Sequence, residues 1–154
     1  MFEITQESIN TSQIIAFIEN SSQGAIVTFE GRVRDHNLGQ SVHMLEYDAF
    51  EDLAIKEGQR IIEEALAKFE ISTARAIHRI GLLNLKDIAV TIVAASPHRE
   101  AAFFACKYII DEVKTRIPIW KKEHYTGGKS SWVDCPTCSR NLVVAPHHTK
   151  SQWI

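Results

Sequence analysis

Apolar positions along this chain switch between a period of two and a period near 3.6, and the switches divide it into strands and helices. Phe2 and Ile4 alternate with polar neighbours and predict a short first strand. Asn10 and Thr11 are helix-capping types ahead of Ile14, Ile15 and Ile18, one apolar face of a short helix that Ser21-Ser22-Gln23-Gly24 ends. From Ala25 the period is two: Ala25, Val27, Phe29, Gly31 and Val33 face one way, and Ile26, Thr28, Glu30, Arg32 and Arg34 the other. Asp35-His36-Asn37-Leu38-Gly39 is turn chemistry, so a strand over Val42 to Ala49 is expected to form a hairpin with the preceding one. Glu51 to Phe69 is amphipathic, with Ala54, Gly58, Ile61, Ile62, Ala65, Leu66 and Phe69 on one stripe. Thr73 to Leu82 reads as one strand, and the apolar run Ile88 to Ala95 as a central strand buried on both faces.

A last helix is expected from Pro97 to about Lys114, with Ser96 as N-cap, Pro97 at the first helical position, and Ala101, Phe104, Ala105, Tyr108 and Ile109 inward. Pro118 stops it. Ile119 to His124 and Ser131 to Val133 then predict two short edge strands around Gly127-Gly128. The order β-α-β-β-α-β-β-α-β-β predicts an α+β fold, a mixed and mostly antiparallel sheet with packed helices.

Composition narrows the function classes. The chain has 154 residues and a formal net charge of −2, so it is no general polyanion binder and a basic site must be local. No nucleic acid or membrane partner is expected. The N-terminus lacks a basic and apolar leader, no apolar run is long enough to span a bilayer, and three cysteines form no disulfide framework, which together read as cytoplasmic. No P-loop, Gly-rich dinucleotide loop or Ser-His-Asp spacing is present, and no cofactor is expected. Cys106 falls on a helix as a small core residue.

Chemistry concentrates in cationic residues: Arg32, Arg34, His98, Arg99, Lys114, Arg116, Lys121 and Lys122. Any one of them alone is best read as ordinary solvated charge. His98 and Arg99, however, sit in a first helical turn, where free N–H groups and the helix dipole favour anions and a side-chain cation is locally unfavourable. That conflict points to an anion site there. Lys114 also suits the helix dipole as a basic last-turn residue, but Lys121 has no such explanation. Clustered positive charge and partial burial favour a neutral lysine, able to act as nucleophile or general base. Trp120 offers an apolar wall, though an aromatic there is more often core. Cys135-Pro136-Thr137-Cys138 with His147 and His148 offers four zinc ligands, but the spacing fits no strong zinc pattern. The thiols are expected to be free and the segment to bind no metal.

Four ordered motifs carry a resemblance. They are Gly24-Ala25-Ile26-Val27-Thr28-Phe29-Glu30-Gly31-Arg32-Val33-Arg34-Asp35-His36-Asn37, then Ile77-His78-Arg79-Ile80-Gly81, then Ser96-Pro97-His98-Arg99, and then Lys114-Thr115-Arg116-Ile117-Pro118-Ile119-Trp120-Lys121-Lys122-Glu123. Together, over about residues 2 to 133, they resemble the family of large, catalytic subunits of molybdopterin synthase. The segment 134–154 departs from that pattern, which implies a domain over 1–133 and a C-terminal tail. The resemblance implies an α/β hammerhead-type fold and a homodimer that carries a small ubiquitin-like sulfur carrier at each end, a heterotetramer. It implies a sulfurtransferase: sulfur passes from the carrier's C-terminal Gly-Gly thiocarboxylate to cyclic pyranopterin monophosphate, forming the dithiolene of molybdopterin. It implies that Lys114 and Lys121 are catalytic, and that Arg32, Val33, Arg34, His98, Arg99, Lys114, Lys121, Lys122 and Glu123 bind substrate. The competing reading is a non-catalytic adaptor for an acidic tail or a phosphorylated metabolite, against which the presence of both lysines counts.

Overall fold

Strand β7 (Ile88–Ser96) is the axis of the molecule. It lies inside a sheet of order β1-β5-β7-β2, formed with β1 (Phe2–Thr5), β5 (Thr73–Arg79) and β2 (Ala25–Arg32). The β1–β5 pair is parallel and the others antiparallel. Helices α2 (Glu51–Lys68) and α3 (Arg99–Arg116) cover one face, where Ile61, Ile62, Val90, Ile92, Ala105 and Ile109 are buried together. Helix α1 (Thr11–Ile18) covers the other, packing Ile14 and Ile18 on Val93 and Ala95. The uninterrupted apolar run of β7 thus has a physical use, since each face of the strand meets a helix layer. The computed structural model describes residues 1–133. The expectations for Cys135, Cys138, His147 and His148 lie outside the described residues.

A second, antiparallel sheet runs β3 (His36–Asn37), β4 (Gln40–Ala49), β8 (Ile119–Tyr125), β9 (Ser130–Val133), with β6 (Gly81–Asn84) also pairing β4. Its own small core holds Val33, Val42, Leu45, Leu83 and Ala89. The fold is therefore α+β, with the elements expected and two short strands more.

Several expectations need correction. The second strand does not form a hairpin with β2: β2 pairs β7, and β4 crosses to the other sheet, where its hairpin partner is the short β3. The stretch Thr73 to Leu82 is two strands, because Gly81 takes φ +85° and turns the chain from one sheet to the other. β8 is an interior strand between β4 and β9. Ser96 does not cap α3; His98 holds the N-cap position with extended backbone, Pro97 precedes it, and the Ser96 hydroxyl bonds the His98 carbonyl. The buried stripe of α3 is Ala102, Ala105, Cys106, Ile109, Ile110 and Val113, whereas Phe104 is exposed, as is Leu66 of α2. Small residues face the sheet because α3 packs close against β7 and β2. The expected Asn10 cap is present: its side chain accepts from the Gln13 N–H at 3.2 Å.

Candidate active site

Strand alternation sorts the basic end of the fourth motif. Lys121, Glu123 and Tyr125 occupy one face of β8, and Lys122 and His124 the other. On the first face Glu123 is only 2% exposed, yet its carboxylate is fully served. Lys121 Nζ lies 2.9 Å from Oε1, the Asn37 amide donates to Oε1 at 2.9 Å, and the Tyr125 hydroxyl donates to Oε2 at 3.0 Å. Burial pushes the Glu123 carboxyl upward, but the bonds from Lys121, Asn37 and Tyr125 outweigh it and hold it below the usual carboxylate range. The group is an anion at neutral pH. Asn37 Oδ1 in turn accepts from Arg34 Nη2 at 3.0 Å, so Arg34 and Lys121 hang from one connected network.

Lys114 approaches from the last turn of α3. The end of that helix is pinned beside β4: the Phe50 N–H donates to the Pro118 carbonyl at 3.2 Å, and Ile119 pairs with Ala49. The positive charge of Lys114 reaches His78, a buried imidazole whose Nδ1 donates to the Arg79 carbonyl at 2.9 Å. Burial first, and Lys114 after it, drive the His78 pKa down to about 4, against the upward pull of the Arg79 bond, so the ring is neutral. Its edge meets the Tyr47 ring at 5.1 Å, and Tyr47 stands directly opposite Lys121 in the β4–β8 register. Tyr47 and His78 thereby link the surroundings of the two lysines.

The other candidates are distributed differently. Arg32 ends β2 and is engaged by Glu30, while Arg34 lies beyond the strand. Val33 is buried in the second core, with its backbone bonded to Asp87 and Lys86. Lys122, on the opposite face of β8, pairs with Glu46 at 3.5 Å and sits over the Trp132 ring. Arg116 is enclosed by Glu57, Glu64 and Glu112, at 2.8 Å, 2.9 Å and 3.0 Å, and clamps α3 to α2. His98 and Arg99 are exposed at the start of α3, on an open hollow shared with Gly24, Glu100, Phe103 and Phe104. Helix geometry separates Arg99 from Lys114 by about 22 Å along the axis at roughly 1.5 Å per residue.

The structure therefore brings Arg34, Lys121 and Glu123 together, leaves Lys114 in electrostatic range of His78, whose ring meets Tyr47, and keeps His98 and Arg99 apart. Tyr47 and Tyr125 join this site with no signal in the sequence, and Asn37 and His78 stand in two of the four motifs without a role assigned to them. Asn37 reads there as a turn residue, and His78 falls on the inward phase of an ordinary strand.

Known proteins share this architecture. The chain is 44% identical over 128 residues to a molybdopterin synthase catalytic subunit of Pyrococcus abyssi, covering 83% of this chain and 86% of that one. It is 42% identical over 132 residues to the Bacillus subtilis protein of the same description, covering 86% and 83%. The crystal structure of molybdopterin synthase from Staphylococcus aureus superposes with a TM-score of 0.81 at 42% identity, covering 86% of this chain and 96% of that one. The family model described as MoaE protein matches residues 4–116. By fold, by sequence and by the motifs that build its basic cluster, the chain belongs to the MoaE family.

Proposed function

We propose that this chain is the catalytic subunit of a molybdopterin synthase. It moves sulfur from the C-terminal thiocarboxylate of a small ubiquitin-like carrier to cyclic pyranopterin monophosphate, forming the dithiolene. The observation that carries the reading is two cations, Arg34 and Lys121, organised around one buried carboxylate, Glu123. Two cations and one anion leave the cluster positive, as a thiocarboxylate and a phosphate-bearing pterin both require.

In this reading Lys114 engages the carrier's terminal carbonyl as nucleophile or proton donor. Lys121 orients the substrate and stabilises charge in the transition state. Arg32, Val33, Arg34, Lys122 and Glu123 shape the substrate pocket, and His98 and Arg99 hold the phosphate. Since one small pterin cannot reach both ends of α3, the His98-Arg99 pair of one copy serves the lysines of another, which fits a homodimer at the centre of a heterotetramer. Residues 1–133 form the working domain and 134–154 a tail. No helix among the described residues is long and apolar enough to cross a membrane, and we read the chain as cytoplasmic.

The decisive experiment is incubation with thiocarboxylated carrier and cyclic pyranopterin monophosphate. Dithiolene product is expected. Tight carrier binding with no product would support the adaptor reading instead.

A further inference from the structure

Asn37 is held by a very short hairpin. It pairs with Gln40 across the two-residue turn Leu38-Gly39, whose φ angles are +47° and +79°. Two successive positive φ values are the signature of the tight turn that matches strand twist, and glycine tolerates this where leucine is strained. The Val42 N–H closes the hairpin base on the Asp35 carbonyl at 2.8 Å, and the Thr126 N–H, just past β8, donates to the Ser41 carbonyl at 3.0 Å. Backbone geometry thus sets where the Asn37 amide points. Its two ends do different work. The NH2 group donates to the Glu123 carboxylate at 2.9 Å, and the oxygen accepts from the Arg34 guanidinium at 3.0 Å. The chemistry of the two neighbours leaves only this amide orientation, since a carboxylate can only accept and a guanidinium can only donate.

We propose that Asn37 is a positioning residue of the sulfur-transfer site, tying the Arg34 guanidinium to the Glu123 carboxylate and thereby fixing Arg34 and Lys121 relative to each other. The inference rests on the function proposed above. A neutral amide suits this role better than a charged group. An aspartate would add a second carboxylate against buried Glu123, and a lysine would compete with Lys121 for it. Tyr125 supplies a contrast. It also donates to Glu123, but its other partner is Ser131, so it supports Lys121 without touching Arg34.

The test is a pair of double-mutant cycles on the full chain with its carrier, read as single-turnover dithiolene formation. Asn37→Ala is expected to slow turnover roughly tenfold, with an unchanged melting temperature. In an Arg34→Ala background the same substitution should cost less than threefold, because the group it positions is gone. Tyr125→Phe should cost the same in both backgrounds. Full additivity of Asn37→Ala with Arg34→Ala, or wild-type rates in Asn37→Ala, would overturn the proposal. Absence of product from the wild-type protein would instead defeat the function itself, so the two failures are distinct. If Asn37→Ala lowers the melting temperature, Asn37→Asp decides. It keeps an acceptor for Arg34 but places an anion beside Glu123, and a rate no lower than that of Asn37→Ala would also count against the proposal.

Discussion

Arg116 and Lys121 belong to one basic segment, the first at the end of α3 and the second on β8, yet their surroundings are opposite. Arg116 meets three carboxylates, Glu57, Glu64 and Glu112, in a cluster whose second cation is Arg60, beside Glu57. Its bonds span two helices, and its guanidinium is held firmly protonated by Glu64 first, against a smaller opposing effect of burial. Lys121 shares a single carboxylate with Arg34's anchor, Asn37. The first cluster carries an excess of negative charge and repels an anion; the second carries an excess of positive charge and attracts one. The sequence analysis groups both among the basic residues of one segment, and the count of surrounding carboxylates separates the cation that clamps two helices from the one left with a single carboxylate.

The strongest way to break this contrast is to remove the lysines. Lys114→Ala should fold normally and lose sulfur transfer by roughly a thousandfold, the range for loss of a group acting on the reacting carbonyl. Lys121→Ala should lose roughly a hundredfold, as expected for an electrostatic stabiliser. Both are read in single-turnover product formation beside a thermal melt. Near-normal product from Lys114→Ala would remove it from the chemistry. A Lys121→Ala variant that only docks the carrier more weakly would assign that lysine to the interface.

The next effect is on stability and comes from His78, the neutral imidazole within reach of Lys114. Its pKa of about 4 in the folded chain lies below the ordinary value of 6.5. The unfolded chain therefore binds a proton first. Stability is complete above pH 6.5 and falls as the pH drops from 6.5 to 4, by on the order of 3 kcal/mol. Urea unfolding at pH 7 and pH 4.5 should show most of this loss in the wild type and little of it in His78→Gln. An equal loss in both proteins would mean that other groups are responsible.

Arg116→Ala tests the opposite half of the comparison. It leaves Glu57, Glu64 and Glu112 with Arg60 at Glu57 as the cluster's remaining cation, so destabilisation of about 2 kcal/mol is expected, moderated because the cluster is partly solvated. Product formation per folded molecule should stay within about twofold, since an effect on rate without one on stability would put Arg116 with the functional cations. The same cluster gives acid sensitivity. Glu64, held at about 2 by Arg116 and then by the Tyr108 hydroxyl, contributes stability that is present above its ordinary 4.5 and lost as pH falls from there toward 2.

Much of this arrangement was legible in the sequence. Periodicity placed α1, α2 and the buried β7, because each has a long or well-capped pattern tied to one face. It failed where the outcome depends on partners distant in sequence. The β2–β4 hairpin was drawn from adjacency, but β2 is claimed by β7 over its whole length, and Gly81 redirects the chain between sheets. The expected inner stripe of α3 is right at Ala105 and Ile109, and Cys106 is buried as expected, but it fails at Phe104, which is exposed while the smaller Ala102 packs on the sheet. Of the motif residues, Arg34, Lys121 and Glu123 do come together in the structure, through Asn37. The motifs gave no sign that Arg116 is consumed by α2, since Glu57 and Glu64 are distant in sequence.

The smallest effect concerns a third basic region. His98 and Arg99 make no side-chain hydrogen bond or ion pair among the described residues, unlike both Arg116 and Lys121, and they lie exposed where α3 begins. Glu100 lines the same hollow, but neither His98 nor Arg99 is tied to it, so the pair should be dispensable for folding and available to an anion. Arg99→Ala should change stability by less than about 0.5 kcal/mol. It should raise the substrate concentration for half-maximal rate roughly tenfold while leaving the saturated rate close to wild type, the pattern of lost binding that is equal in ground and transition states. Substrate titration under single-turnover conditions separates the two quantities. A fall in the saturated rate with unchanged half-saturation would move Arg99 from holding the phosphate to the reacting centre. No change in either would return it to the ordinary surface charge that its exposure alone suggests.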